Sequence, residues 1–409
     1  MMDINEFLRT SYTAYQAVEN SIKTLSAAGF LPLNRGEIKV KKGGRYYITI
    51  NDSAFIAISI GEDLTGLNIA CAHTDSPALK IKGDATFPYI GGSRINVETY
   101  GGLLLYSMLD IPLKIAGRVF IKTERGIERK LVVSDFNVNI PSLCIHHNRE
   151  ANDGLKLSVQ NDMLPLMEQN ESVYAALKLE NVLDADLYVV PDVAPFTAAG
   201  NLCSPRIDNL TSVYSCVKGI IEAKPKGVAV AVCFDNEEIG SGTKQGAASD
   251  ILKEVLNDVY SSIGESSLSL ASSSGLLLSV DNAHAAHPAH PEKSDPLNKV
   301  ALNGGIVIKH HTNYATDGKA SAILKRLLTD ANIPYQDYYN NSDVRCGGTL
   351  GLIASRQLVM SAVDIGLAQL AMHSAIETVG KEDLDRMTGC IKAVFESVIQ
   401  DRGEEIVIK

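Results

Sequence analysis

Three strand-length runs carry almost no polar residue: Leu67–Cys71 apart from Asn68, Val228–Phe234, and Leu276–Val280 apart from Ser279. A strand apolar on both sides must be covered on both sides, and a mainly parallel sheet between two layers of helices does this. Helical spacing supplies the covering layers. Leu8, Tyr12, Tyr15, Val18, Ile22 and Leu25 recur at steps of three or four with Gly29 as a stop, predicting one amphipathic opening helix. Further helices are predicted near 211–223, 249–260 and 320–332, with a last one along Leu384, Met387, Ile391, Val394 and Val398. Shorter strands are expected at 45–50, 54–60 and 305–308. The expected fold is α/β: three layers around a mixed, mostly parallel sheet.

Between about residues 91 and 195 the texture changes to short alternating segments (113–122, 129–133, 186–190) separated by turn residues, with little helical pattern. This predicts an inserted, mainly β domain at 92–195, splitting the α/β domain into 1–91 and 196–409. A chain of 409 residues that is 45% hydrophobic has ample core for both.

The bulk chemistry excludes several classes. A net charge of −10, with no basic run of five residues, lacks the footprint of a nucleic-acid binder. No apolar run approaches the roughly 20 residues of a membrane span, and the first 30 residues lack an export layout. The seven cysteines are scattered, odd in number and never spaced C-x-x-C, which argues against a disulfide framework or a thiolate zinc site and fits a reducing, cytoplasmic setting.

Chemistry-bearing residues gather in five clusters, most of them where a predicted strand ends, which is where open α/β sheets bind ligands. His73-Thr74-Asp75 follows the first run; it is either a capped turn or a metal-binding His with an orienting carboxylate. Asp208, in Ser204-Pro205-Arg206-Ile207-Asp208-Asn209-Leu210, is either a helix cap or a carboxylate bridging two metals. Asp235-Asn236-Glu237-Glu238 puts three carboxylates in four residues beside glycines; solvent or cations must compensate them. One Glu as ligand and the other as general base is the functional reading. Asp281, His284, His287 and His290 crowd into ten residues after the third run, a metal-site or catalytic signal. Met372-His373-Ser374, with Glu377 behind it, reads as the start of a helical segment. Pooled, His73, Asp208, Glu238, Asp281 and His373 are hard or borderline ligands suited to zinc, manganese or cobalt. Two such ions sharing a carboxylate, about 3.5–4 Å apart, hydrolyse amide bonds with an activated water.

These five strings, in this order and spacing along nearly the whole chain, closely resemble the aspartyl aminopeptidase family, which includes yeast vacuolar aminopeptidase I. The resemblance implies that His73 and Asp281 hold one of two divalent ions, zinc before manganese or cobalt, and that Glu238 and His373 hold the other. Asp208 would bridge them, Glu237 would be the general base, Asp75 would orient His73, and His284 would stabilise the developing oxyanion. It also implies peptide substrates cut at the N-terminus, assembly through the inserted domain into a homododecamer of dimers, and a His146 that reaches a neighbouring subunit's site; adjacent His147 has no such match.

Three stretches depart from the family pattern. Tyr15-Gln16-Ala17-Val18 stands where relatives often carry Phe-His, and Leu104–Asp110 lacks their tryptophans, the chain having none. The substrate loop holding Lys309 and Tyr314 is about two residues short and lacks the Arg before Tyr314. Lys309 either faces an acidic substrate side chain or is a solvated strand-end lysine, so the preferred N-terminal residue, acidic or neutral and apolar, stays open. Two other functions remain at this point: a related hydrolase of N-acyl amides, and an assembly shell with a vestigial site, against which the complete ligand set counts.

Overall fold

The computed structural model describes residues 2–168 and 171–409. Among them, nine strands form a mixed sheet in the spatial order Leu31–Pro32, Arg45–Ile50, Ala54–Ile60, Val228–Phe234, Leu67–His73, Leu276–Val280, Ala362–Gly366, Ile306–His310, Tyr335–Tyr339. Its four central strands, 228–234, 67–73, 276–280 and 362–366, run parallel, so their C-terminal ends share one edge. Five of the eight pairings are parallel, as the apolar runs demanded.

Burial on both faces follows from the alternation within each run. Ala70, Ala72, Ala229, Ala231 and Cys233 face one core, with the helices Ala14–Ala27, Ile207–Glu222, Gly318–Asp330 and Lys381–Glu396. Ile69, Cys71, Val228, Val230 and Val232 face the other, with Ile251–Ile263 and Gly351–Leu358. The small side chains on the first face let the helix Ile207–Glu222 lie close against the sheet, and that helix begins beside Asp208.

The periodicity at the start of the chain marks burial and not a continuous helix. Two helices form there, Ile4–Thr10 and Ala14–Ala27, with a break at Ser11–Thr13. Side-chain bonds stabilise the break: Asn20 Nδ2 donates to Thr10 Oγ1 (3.0 Å) and Ser11 Oγ (3.1 Å), and Tyr12 Oη donates to Asp192 (2.9 Å). Such local polar bonding competes with helix continuation.

A second, antiparallel sheet orders the strands Gly126–Val133, Leu113–Thr123, Val182–Pro191, Ala78–Tyr89, Gly92–Tyr100 and Leu166–Met167, with its own apolar core around Leu79, Val97, Ile115 and Leu187. It begins at Ala78, ahead of the residue-91 break suggested by sequence texture, because Ala78–Tyr89 pairs with both Val182–Pro191 and Gly92–Tyr100. A third, small sheet went unforeseen: Phe196–Ala198, Asn201–Ser204, Glu377–Gly380, Ala368–Leu370 and Ala283–His284. It gathers three distant stretches of chain at the C-terminal edge of the main sheet.

Candidate metal centre

Each central strand delivers a side chain to that edge. His73 is the last residue of its strand and is 1% exposed. Its Nδ1 faces Asp75, 3.0 Å from the backbone oxygen and 3.3 Å from Oδ1, while Nε2 points inward. There it lies 3.5 Å from Asp208 Oδ1, 3.7 Å from Asp281 Oδ1 and 4.0 Å from Glu237 Oε2. Asp208 interrupts the start of its helix with extended geometry (φ −81°, ψ 109°), and its carboxylate serves no cap. Oδ1 turns toward His73 and Oδ2 toward His373 Nε2 (3.4 Å), which also lies 3.4 Å from Glu238 Oε1.

Donor atoms thus converge in overlapping groups, His73 with Asp208 and Asp281, Asp208 with Glu238 and His373, and His73 with Glu237 and Glu238. Asp208 belongs to the first two groups, with one oxygen toward each histidine. Asp208 Oδ1 is buried and has no hydrogen-bond partner among the described residues. An orphaned carboxylate oxygen in a cluster of oxygen and imidazole donors, with no thiolate, is what a divalent cation of the zinc, manganese or cobalt type satisfies.

The carboxylate turn is held from behind. Asn236, in the left-handed region (φ 62°), leads into a single 3₁₀ turn, Glu237–Ile239. Asp75 accepts the backbone N–H groups of Glu237 and Glu238 (3.2 Å each) and the Tyr100 hydroxyl (2.7 Å). Tyr100 Oη in turn accepts from Asn236 Nδ2 (2.8 Å). Asp75 therefore contacts both the histidine ring and the backbone of the two glutamates.

His373 does not start a helix. It sits in a turn between Ala368–Leu370 and Glu377–Gly380 with φ 66°. Gly102 allows the close approach that fixes it: Gly102 O is 3.1 Å from His373 Nδ1, and a Cβ on Gly102 would lie 3.3 Å from the same atom, while a Cβ on Gly101 would meet Glu238 Cβ at 3.0 Å. Leu104 N–H also donates to His373 O (3.0 Å).

The electrostatics show groups forced together. Burial, followed by the charges of Asp281, Asp75 and Asp208, pushes Glu237 up to about 7. Burial and Asp208 drive Glu238 well above the usual range, and burial and Asp208 push Glu377 to about 8. Asp235 rises to about 7, through burial and then Asp75. Burial would lower both histidines, yet contact with Asp208 and Asp281 raises His73 well above normal, and Asp208 with Glu238 raises His373 to about 10. Asp208 is lowered, its contacts with His373 and His73 outweighing burial. In the absence of a cation, the site keeps protons that a cation would displace.

The remaining sequence-derived candidates lie around this core. His284 ends its short strand, exposed, with a pKa below the ordinary value from desolvation and the nearby Lys309 charge. Lys309 is 2% exposed, so it is not a solvated strand-end lysine; Nζ is 3.4 Å from Asp281 Oδ2 and lies 5.5 Å from the Tyr314 ring centre. Tyr314 accepts from Cys346 Sγ at 3.3 Å. His146 and His147 are exposed in a turn of the second-sheet region and belong to none of the converging groups.

A family model described as aminopeptidase I zinc metalloprotease (M18) matches residues 7–176 and 170–395. The chain belongs to this family. A probable M18 family aminopeptidase 2 of Clostridium novyi (strain NT) is 37% identical over 419 residues, covering 93% of this chain and 95% of the relative. Among solved structures, the chain is similar to that of an Ape4 and Nbr1 complex (TM-score 0.91, 27% identity, 96% of this chain and 84% of that one). It shares the fold of an mApe1 dodecamer from S. cerevisiae (TM-score 0.83, 23% identity, 96% and 95%). As an M18 member, the protein is a metal-dependent aminopeptidase, a hydrolase that removes N-terminal residues from peptides. Among its described residues, no helix is long and apolar enough to cross a membrane.

Three contributors to this M18 site were given no role from the sequence. Tyr100 had no signal beyond lying at the end of an alternating strand. Gly101-Gly102 was a visible signal, a glycine pair just after that strand. Glu377 was noted beside His373, but its contacts arise from the small sheet, which no local pattern announces.

The raised groups set a pH dependence. Glu237, Asp235 and Glu377 hold protons in the folded, cation-free protein well above the pH at which the unfolded chain releases them, and both histidines do likewise. Each therefore adds stability at low pH that is lost as pH rises through its folded pKa. The lowered Asp208 acts in the opposite sense, but only in acid below the ordinary carboxylate range. Metal-stripped protein should accordingly show a Tm that falls from about pH 6 to about pH 8.5, and zinc should flatten or reverse that slope. A Tm of the stripped protein that rises over this window would contradict the assignment of the shifts.

Proposed function

We propose that this M18 aminopeptidase works through two divalent cations, one held by His73 and Asp281 and the other by Glu238 and His373, with Asp208 shared between them. The observation that carries this reading is Asp208, whose two carboxylate oxygens turn to different histidines, Oδ1 having no hydrogen-bond partner among the described residues. The four carboxylates Asp208, Glu237, Glu238 and Asp281 also balance the charge of two divalent ions with both histidines neutral. Zinc is the first expectation from the family, and manganese or cobalt would suit the same donors. When bound, such ions polarise a carbonyl and make a water nucleophilic at neutral pH.

The chain's own residues would do the rest. Glu237, beside the converging donors and tuned upward by burial, accepts the proton of the attacking water and passes it to the leaving amine. Asp75 keeps Nε2 of His73 inward and fixes the backbone of Glu237. His284, neutral and at the open side of the site, donates a hydrogen bond to the developing oxyanion. The peptide's free α-amine is received by the acidic groups around the ions.

Lys309 and Tyr314 form the side-chain pocket. The Lys309 charge is partly committed to Asp281, and it also offsets the buried Asp364. That sharing weakens its pull on a substrate carboxylate, so both acidic and neutral N-terminal residues are accommodated. The second-sheet domain, from Ala78 onward, serves assembly, and exposed His146, preceded by exposed Leu143 and Ile145, reaches the site of a neighbouring subunit. A homododecamer built from dimers, like the yeast mApe1 particle, is the assembly this implies.

Glu237→Gln should lower kcat by about 10²–10⁴-fold while metal content stays at the wild-type level; near-normal turnover would remove Glu237 as the base. A panel of aminoacyl chromogenic substrates with Asp, Glu, Leu, Met and Lys should show cleavage of both acidic and neutral members. Cleavage of Asp and Glu alone would make Lys309 a dedicated carboxylate receptor, and activity on N-acetylated substrates only would overturn the aminopeptidase mechanism.

A further inference from the structure

Glu377 opens the strand Glu377–Gly380 of the small sheet, pairs in register with Ser204 four residues before Asp208, and is 2% exposed. Its two oxygens go to two different backbone groups. Oε1 accepts the His373 N–H at 2.6 Å and Oε2 accepts the Asp208 N–H at 2.9 Å. Neither oxygen is among the donor atoms that converge on a cation. One buried carboxylate thus ties together two residues that are 165 positions apart in sequence and whose side chains meet at 3.4 Å.

We propose that Glu377 is the positioning residue of the cation site formed by Glu238, His373 and Asp208, an assignment that rests on the two-cation reading above. The other parts of that site are placed by different means. Glu238 hangs from Asp75 through its N–H, and the Gly102 carbonyl takes the His373 Nδ1 proton, leaving Nε2 free for a cation. The carbonyls of His373, a non-glycine residue with φ 66°, and of Asp208 are held by Leu104 N–H (3.0 Å) and Ser76 Oγ (2.8 Å), which leaves the two N–H groups to Glu377. Glu377 fixes both at once. By contrast, His73 is set by Asp75, and Asp281 by the end of its strand, so the first site draws on Glu377 only through the shared Asp208.

A glutamine cannot replace this arrangement. Its single carbonyl oxygen can serve one N–H, and its amide NH₂ would face the other donor, leaving a buried N–H unpaired. The lesion should therefore fall on one cation more than on the other.

The test is zinc binding by full-length, assembled, metal-stripped protein in zinc-buffered titrations. Wild type should take two ions. Glu377→Gln should bind one with near wild-type affinity and the other about 10–100-fold more weakly. Cobalt in the weakened site should show an altered visible absorption spectrum. Combined with His373→Ala, the effects on the weaker ion should be strongly non-additive, which a general loss of stability would not produce. Glu377→Asp, which keeps the charge but reaches only one N–H, should fall between wild type and Gln and serves if the Gln variant does not assemble. Two ions bound as tightly in both variants as in wild type would overturn the assignment alone, as would equal weakening of both ions or simple additivity with His373→Ala. A single ion in wild type would overturn the two-cation reading and this assignment with it.

Discussion

Carboxylates buried side by side repel one another, and the architecture around this site consists largely of devices that hold them together regardless. Asp75, Asp208, Asp281 and Glu377 are buried, and Glu237 and Glu238 lie against them. The cost is visible in the raised proton affinities of Glu237, Glu238 and Glu377, and in histidines that recover charge despite burial. Such a cluster is unfavourable to fold around unless cations compensate it, which ties fold, metal and catalysis to a single constraint.

The fold meets that constraint with three sheets of different function. The main sheet brings His73, the Glu237–Glu238 turn and Asp281 to one edge because its central strands are parallel. The small sheet closes the opposite side, bringing Ser204, Glu377 and His284 together from three regions of sequence. The antiparallel sheet adds Tyr100 and leads into Gly102, whose close approach seats His373. Asp75 and Glu377 thus hold Glu237, Glu238, Asp208 and His373 by their backbone N–H groups.

What could be read from the sequence follows the range of the physics. The apolar runs 67–71, 228–234 and 276–280 declare two-sided burial locally, and the structure has them as adjacent parallel strands. His73, Asp208, Glu238, Asp281 and His373 could be pooled from sequence only because the dense clusters at 235–238 and 281–290 gave company to the weaker strings around His73, Asp208 and His373, and their donor atoms do converge. Long-range pairing was not legible. The strand Ala78–Tyr89 looked continuous with the α/β region, since only its partners at 92–100 and 182–191 assign it to the second sheet. The opening helix was drawn across Ser11–Thr13 because periodicity records burial and is blind to side-chain bonds that interrupt it. His373 was placed at a helix start, whereas its left-handed turn depends on Glu377 and Gly102, neither of which a local pattern can weigh. Burial of Lys309 likewise depends on Asp281 and Tyr314 closing over it.

On the two-cation reading, Asp208 lies between the ions. Anomalous diffraction at the zinc edge from zinc-loaded crystals tests it most directly. Two peaks about 3.5–4 Å apart are expected, one against His73 and Asp281 and the other against Glu238 and His373, with one oxygen of Asp208 toward each. A single peak, or two peaks without Asp208 between them, would contradict it.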